Sequence, residues 1–124
     1  MMKNALVILA GGKGKRFGQK IPKQFLKIGN TNFLNYFISN LDLSKFDIIN
    51  ISIDKKYQNT YFNHKAVSEK IKITYSKPGL TRQISSFNAL KNLKKFKIKN
   101  VLIHDAARPL CSNTVSYTHL RAHE

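Results

Sequence analysis

The order of apolar and polar residues divides the chain into short runs of two kinds. Four runs are rich in β-branched and other apolar residues, have the length of single strands and are bounded by polar or turn residues. They cover residues 5–10, 48–53, 71–75 and 101–103. Continuous apolar runs of this length are typical of strands that are buried on both faces. The pattern therefore predicts four strands of a buried sheet.

Two segments between these runs repeat their apolar residues with the period of a helix. One follows Asn32 and the other follows Thr81, and both of these side chains can cap a helix. The apolar positions are Phe33, Leu34, Phe37, Ile38 and Leu41 in the first segment and Ile84, Phe87, Leu90 and Leu93 in the second. The alternation predicts an α/β fold with a mostly parallel sheet, helices on both faces, and a ligand site at the carboxyl ends of the strands.

The first apolar run leads directly into a basic, glycine-rich loop. Its glycines would let the backbone adopt positive φ and turn its amides toward phosphate oxygens. The glycines are Gly11, Gly12 and Gly14, and the cations in and after the loop are Lys13, Lys15, Arg16 and Lys23. The spacing matches neither G-x-x-x-x-G-K-[ST] nor the dinucleotide fingerprint G-x-G-x-x-G, because Phe17 stands where a third glycine belongs. The loop predicts polyphosphate binding, and a solvated turn is the alternative.

One carboxylate, Asp105, follows the fourth apolar run, and Arg108 comes three residues later. In a parallel sheet this strand end shares an edge with the glycine loop, and Mg²⁺ is typically held by one or two carboxylates plus substrate phosphates. Asp105 is therefore a predicted Mg²⁺ ligand, with a cap as the alternative. His104 would face the other side of the strand, and we expect it to be buried and bonded to backbone rather than to act as a base.

The charge balance limits the partners that the chain would attract. The 124 residues allow one domain, and 22 Lys and Arg against 6 Asp and Glu give a net charge of +16. Such a charge favours polyanionic ligands. The lysines are spread along the chain, and Tyr57, Tyr61 and Phe62 are only weak support for an aromatic stacking surface. A basic nucleic-acid-binding module is therefore the alternative from a different class, and no specific nucleic-acid partner is expected.

Cysteine usage and the N-terminus indicate the compartment. The single cysteine, Cys111, excludes an internal disulfide and is typical of a reducing environment. The first apolar run is far shorter than the roughly 20 residues that cross a bilayer, and it has no signal-peptide pattern. We expect a cytoplasmic protein without a membrane partner.

The last nine residues differ from the rest of the chain. Residues 116–124 neither continue the rhythm of strands and helices nor close it with a cap, and they resemble a translated sequencing adaptor. We therefore predict that residues 1–115 are the N-terminal part of a nucleotide-binding domain and that residues 116–124 are a non-native tail.

Four motifs, standing in order over residues 5 to 112, together resemble the family of 2-C-methyl-D-erythritol 4-phosphate cytidylyltransferases. They are Ala10-Gly11-Gly12-x-Gly14-x-Arg16, Pro22-Lys23-Gln24-Phe25-Leu26, Gly79-x-x-Arg82-x-x-Ser85 and His104-Asp105-Ala106-Ala107-Arg108-Pro109. The resemblance implies a Rossmann-like nucleotidyltransferase fold and an enzyme of the non-mevalonate isoprenoid pathway. That enzyme transfers a cytidylyl group from CTP to 2-C-methyl-D-erythritol 4-phosphate, releases pyrophosphate, uses Mg²⁺ and forms a homodimer.

The resemblance also implies a role for each matching residue. The catalytic residues would be Arg16 and Lys23, which stabilise charge at the α-phosphate, while Asp105 holds Mg²⁺ and Arg108 supports the site. The nucleotide-binding residues would be Ala10, Gly11, Gly12, Lys13, Gly14, Gly79, Arg82 and Ser85, with Gly79 and Ser85 near the cytosine.

Two departures from the family pattern lead to further expectations. Thr81-Arg82-Gln83 resembles the form in which this enzyme is fused to a cyclodiphosphate synthase. The family domain is also longer than this chain, so we expect a fragment truncated at its C-terminus with little activity of its own. The alternatives are a ribitol-5-phosphate cytidylyltransferase, another sugar-phosphate nucleotidyltransferase, or a nucleotide sensor without turnover.

Overall fold

The computed structural model of the chain describes residues 4–11, 22–63, 67, 71–106 and 116–119, with Lys23 and residues 116–119 described by their backbone alone. Within these residues the strands are β1 (Asn4–Leu9), β2 (Lys27–Ile28), β3 (Thr31–Asn32), β4 (Ile48–Ser52), β5 (Lys72–Ser76), β6 (Asn100–Asp105) and β7 (Ser116–His119). The helices are α1 (Phe33–Ser39), α2 (Lys55–Tyr61) and α3 (Arg82–Leu93). Short 3-10 turns occupy Lys23–Phe25, Leu43–Lys45 and Lys94–Phe96.

The main sheet has the order β5-β4-β1-β6-β7. Its first four members run parallel, and β7 pairs antiparallel with β6. The four apolar runs of the sequence are the four parallel strands, with bounds that differ by at most two residues at either end. The mostly parallel α/β fold is therefore confirmed.

Strand alternation divides the core between the two faces of the sheet. On one face Leu6 and Ile8 of β1 pack with Leu34 and Ile38 of α1, and α2 covers the same side. On the other face Val7 of β1 packs with residues of α3. Successive strand residues point to opposite faces, so an uninterrupted apolar strand can serve both layers. The predicted placement of helices on both faces of the sheet is therefore confirmed.

Both predicted helix starts are confirmed by capping hydrogen bonds. The Asn32 side chain accepts a hydrogen bond from the Asn35 amide at 2.9 Å, and Thr81 Oγ1 accepts one from the Ile84 amide at 3.1 Å. Each cap satisfies an amide that the first turn of a helix leaves without an intrahelical partner.

The apolar stripe predicted for α3 is only partly buried. Leu93 is buried, but Ile84 and Phe87 are 44% and 63% exposed. The buried positions nearer the start of the helix are instead Ser85 and Ala89. These small side chains let the helix approach the sheet closely, which turns the larger apolar residues outward.

The predicted tail contains a strand that the sequence pattern did not indicate. In β7, Ser116 lies opposite Ile103 and His119 lies opposite Asn100. The outer edge of β6 offers unpaired backbone groups to any extended segment, whatever its side chains. The non-native origin of residues 116–124 stays a prediction. Across the described segments, no helix combines the length and apolar character needed to span a bilayer.

Candidate active site

The order of the strands places a crevice between the carboxyl ends of β1 and β6. From β1 the chain proceeds to β4 and β5 on one side and then returns to β6 on the other side. In open α/β sheets, ligands bind at the point where the strand order reverses. Leu9 pairs with Asp105 across this point, and the Ala106 amide donates to the Leu9 carbonyl at 3.0 Å. The glycine loop and Asp105 therefore begin side by side, as the sequence predicted.

Backbone contacts fix the start of the glycine loop. The buried residue Ala10 donates its amide to the Ser52 carbonyl of β4 at 2.8 Å. A Cβ added at Gly11 would overlap the ring of Pro78, so the backbone of the loop approaches the segment between β5 and α3 more closely than any other residue type allows. The predicted site residues Gly12, Lys13, Gly14 and Arg16 lie outside the described residues.

The Lys23 motif is attached to the same loop. The Gln24 side chain is buried, and its Nε2 donates to the Ala10 carbonyl at 2.9 Å. The Phe25 ring centroid lies 5.0 Å from the centroids of both Tyr57 and Tyr61 on α2. The backbone of Lys23 therefore lies in a turn that contacts the glycine loop through Gln24 and α2 through Phe25.

The third motif forms a compact turn at the start of α3. The Gly79 amide donates to Ser85 Oγ at 2.9 Å, and a Cβ at Gly79 would overlap the Ile84 side chain. Ser85 is buried, whereas Arg82 is exposed in the first turn of the helix. Through Pro78 this turn adjoins Gly11, so the first and third motifs lie together. A hydroxyl that accepts one hydrogen bond can also donate one, which leaves Ser85 able to hydrogen-bond a ligand.

The fourth motif places two ionisable side chains on different sides of β6. His104 is buried, its ring centroid lies 4.5 Å from that of Phe37, and its Nδ1 lies 3.1 Å from the Asp105 carbonyl oxygen. The prediction of a buried histidine bonded to backbone is confirmed. Asp105 is half-buried at the crevice, and Arg108 lies outside the described residues.

Cations outnumber carboxylates among the described side chains at this edge. The exposed cations are Lys55, Lys56, Lys77 and Arg82, and the carboxylates are Asp54 and Asp105. The described segments contain no cluster of three His, Cys, Asp or Glu that could hold a metal alone. One carboxylate still fits Mg²⁺, because this ion keeps waters and takes further oxygens from substrate phosphates.

The aromatic residues considered for nucleic-acid stacking pack inside the protein instead. Tyr57 and Tyr61 contact Phe25, and the Phe62 centroid lies 6.1 Å from that of Tyr75.

The sequence did not predict helix α2, the Gln24 bond or the contact between Gly11 and Pro78. The spacing of Tyr57 and Tyr61, four residues apart, was the one signal for α2.

Comparison with known proteins identifies the family. The model of a protein family described as 2-C-methyl-D-erythritol 4-phosphate cytidylyltransferase matches residues 4–124. The chain belongs to this family. The family predicted from the four motifs is thereby confirmed.

Curated relatives of this family member include enzymes with one activity and with two. A 2-C-methyl-D-erythritol 4-phosphate cytidylyltransferase of Thermotoga neapolitana is 38% identical over 107 residues, which cover 86% of this chain and 47% of the relative. A bifunctional enzyme IspD/IspF of Pelagibacter ubique is 38% identical over 109 residues, which cover 87% of this chain and 28% of the relative. The chain therefore spans less than half the length of either protein.

A solved structure confirms the fold of this family member. The 4-diphosphocytidyl-2C-methyl-D-erythritol synthase of Anaerococcus prevotii superposes with a TM-score of 0.66 at 23% identity, covering 88% of this chain and 45% of that one. The Rossmann-like fold is therefore shared by the described residues.

Proposed function

We propose that this chain is the nucleotide-binding part of an enzyme that transfers a cytidylyl group from CTP to 2-C-methyl-D-erythritol 4-phosphate. A phosphate oxygen of the acceptor would attack the α-phosphorus of CTP, and the bond to the departing pyrophosphate would break. The observation that carries the proposal is that the described residues of the four motifs lie together around the carboxyl ends of the parallel strands. It is supported by membership of a family whose curated relatives bear the name of this activity.

The residues divide the work of such a transfer among them. Backbone amides of the loop from Gly11 to Gly14 would bind the triphosphate, while Ala10, whose amide donates to Ser52, would anchor the start of the loop. The turn of Gly79 and Ser85 would receive the base, with Arg82 beside it. Lys13, Arg16 and Lys23 would neutralise charge around the α-phosphate, and Arg108 would support the site. Transfer between ionised phosphates depends mainly on position and on cations placed where charge develops, so no general base is assigned.

Mg²⁺ is the proposed cofactor, with Asp105 as its protein ligand. When bound, the ion would neutralise phosphate oxygens and favour departure of pyrophosphate. The support is a carboxylate at the end of β6, opposite the last residue of the strand that leads into the glycine loop. The proposal includes a cytoplasmic homodimer, which cell fractionation and light scattering would test.

Pyrophosphate release from CTP tests the proposal directly. The protein assayed is the product of the longest reading frame that contains residues 1–115, with and without 2-C-methyl-D-erythritol 4-phosphate. The Lys23→Ala variant is compared with Lys99→Ala. Lys99 is an exposed lysine at the amino ends of the strands, far from the site. We expect release that needs this acceptor and falls about 10²- to 10³-fold in Lys23→Ala only. Pyrophosphate release that occurs with ribitol 5-phosphate but not with 2-C-methyl-D-erythritol 4-phosphate would support ribitol 5-phosphate as the acceptor instead. CTP binding without turnover would indicate a sensor.

A further inference from the structure

Gln24 is a buried amide in the middle of the Lys23 motif. Its side chain is 2% exposed, and Nε2 donates to the Ala10 carbonyl at 2.9 Å, which joins positions 14 residues apart in the chain. Burying an amide is costly unless it is hydrogen-bonded, so this side chain strongly favours one placement of the turn. Because it is buried, Gln24 is not available as a surface contact for substrate.

The acceptor of this bond is the residue from which the glycine loop departs. Ala10 donates its amide to the Ser52 carbonyl at 2.8 Å and accepts from Gln24 with its own carbonyl. Both backbone polar groups of Ala10 are therefore bonded, one to strand β4 and the other to the Lys23 turn. The next residue, Gly11, lies against Pro78. The Gln24 hydrogen bond therefore ties the Lys23 turn to Ala10, a residue whose backbone is also held by β4.

The other side of the Lys23 turn is held by aromatic packing. Phe25 is 2% exposed and packs against the rings of both Tyr57 and Tyr61 of α2. Its amide donates to the Pro22 carbonyl at 3.0 Å, which closes the turn. The two residues that follow Lys23 are therefore both fixed, Gln24 by its bond to the start of the glycine loop and Phe25 by packing on α2.

We propose that Gln24 is a positioning residue that sets the distance between Lys23 and the phosphates bound by the glycine loop. The inference rests on the proposed function and adds to it a residue that acts through Lys23. Catalytic groups lose much of their effect when they are displaced by about 1 Å, a shift that can cost about 10²-fold in rate. A side chain that ties the Lys23 turn to Ala10 prevents such a displacement.

A double-mutant cycle with Lys23 tests the inference in the longest reading frame that contains residues 1–115. Gln24→Met keeps the size of the side chain and removes its donor. We expect kcat to fall about 10- to 100-fold, with the KM for CTP changed less than about threefold. In a Lys23→Ala background, the same change should lower kcat by less than about threefold, because the lysine that it positions is gone. Gln58→Met, a half-buried glutamine of α2, should leave kcat unchanged.

Two results of this cycle would overturn the role proposed for Gln24. Equal falls in the two backgrounds would overturn the inference, because Gln24 would then act independently of Lys23, and so would unchanged kcat in Gln24→Met. If Gln24→Met does not fold, Gln24→Asn replaces it, since the amide is kept but shortened away from Ala10, and the same cycle applies. A wild-type protein that releases no pyrophosphate with either acceptor would overturn the proposed function and this inference together.

Discussion

The two edges of the parallel sheet use hydrogen bonds for different purposes. At the carboxyl edge, the bonds hold the segments that follow the strands. Gln24 reaches Ala10, Gly79 reaches Ser85, and Ala106 reaches Leu9. Each bond lies within or beside a motif that the sequence analysis assigned to nucleotide chemistry.

At the amino edge, the bonds join the starts of neighbouring strands. The Asn4 amide donates to Asp47 Oδ2 at 3.0 Å, and Asn4 Nδ2 donates to the Lys45 carbonyl at 3.1 Å. Asn100 Nδ2 completes the group by donating to Asn4 Oδ1 at 3.0 Å. The exposed cations around this edge are Lys45, Lys72, Lys94, Lys95, Lys97 and Lys99.

The contrast between the two edges separates residues that stabilise the sheet from residues that shape the ligand site. The Asn4 group satisfies polar atoms of strands that are already aligned, so its loss should weaken the sheet without moving a loop. The carboxyl-edge bonds fix the segments that carry the four motifs, so their loss should change ligand chemistry. The lysines of the amino edge raise the net charge without having a place in the site.

The largest expected effect is that of Asp105→Asn at the carboxyl edge. Pyrophosphate release should fall about 10²-fold or more, because the substitution removes the charge proposed to hold Mg²⁺. Asp54→Asn is the matched control, since Asp54 lies at the same edge and its side chain makes no capping bond to α2. Steady-state turnover at several Mg²⁺ concentrations is the measurement. Equal losses in both variants would contradict a specific role for Asp105.

A second change, Gly11→Ala, tests the contact between the glycine loop and Pro78. The new methyl group would overlap the Pro78 ring, so we expect a loss of about 1–3 kcal/mol in the free energy of unfolding, together with weaker CTP binding. Urea unfolding and a CTP titration measure the two effects. In the control Gly29→Asn, the added Cβ meets no atom within 4 Å and the φ of 55° suits asparagine. Unchanged CTP affinity in Gly11→Ala would show that this contact does not shape the site.

At the amino edge, Asn4→Ala should affect stability and leave CTP binding unchanged. It removes two side-chain hydrogen bonds, each with a net contribution of about 0.5–1.5 kcal/mol to the free energy of unfolding. Asn59→Ala, an exposed asparagine of α2, is the control for urea unfolding. If CTP affinity fell along with stability, the separation of the two edges would be wrong.

The smallest expected effect belongs to Ser52→Ala, next to the site. Ser52 Oγ is buried without a hydrogen-bond partner, while the Ser52 carbonyl accepts from Ala10. Removing the hydroxyl should raise the free energy of unfolding by about 1 kcal/mol, because a buried and unsatisfied polar atom is lost. Ser85→Ala should have the opposite sign, since Ser85 Oγ accepts from the Gly79 amide. Urea unfolding compares the two serines, and destabilisation of Ser52→Ala would show that its hydroxyl is satisfied.

Some features of this structure could be predicted from the sequence and others could not. Buried parallel strands leave uninterrupted apolar runs, and their carboxyl ends meet at one edge. The sheet was therefore predictable, and so was the position of Asp105 beside the end of the strand that leads into the glycine loop. Helix α2 was not, because seven mostly polar residues bury little apart from Tyr57 and Tyr61. The exposure of Phe87 depends on how closely Ala89 lets α3 approach the sheet. No periodic pattern in the sequence marks Gln24 as buried, since its bond to the Ala10 carbonyl joins positions 14 residues apart.

The most direct test of the central claim, that nucleotide binds at the carboxyl edge, follows the backbone amides of the ¹⁵N-labelled chain while CTP and Mg²⁺ are added. We predict the largest shift changes among the described residues at Gly11, Gly79 and Ala106, with Asn4 and Asn100 unmoved. Changes centred on Asn4, Asn100 and the lysines of the amino edge would contradict this placement and would favour nonspecific binding of an anion to a basic surface.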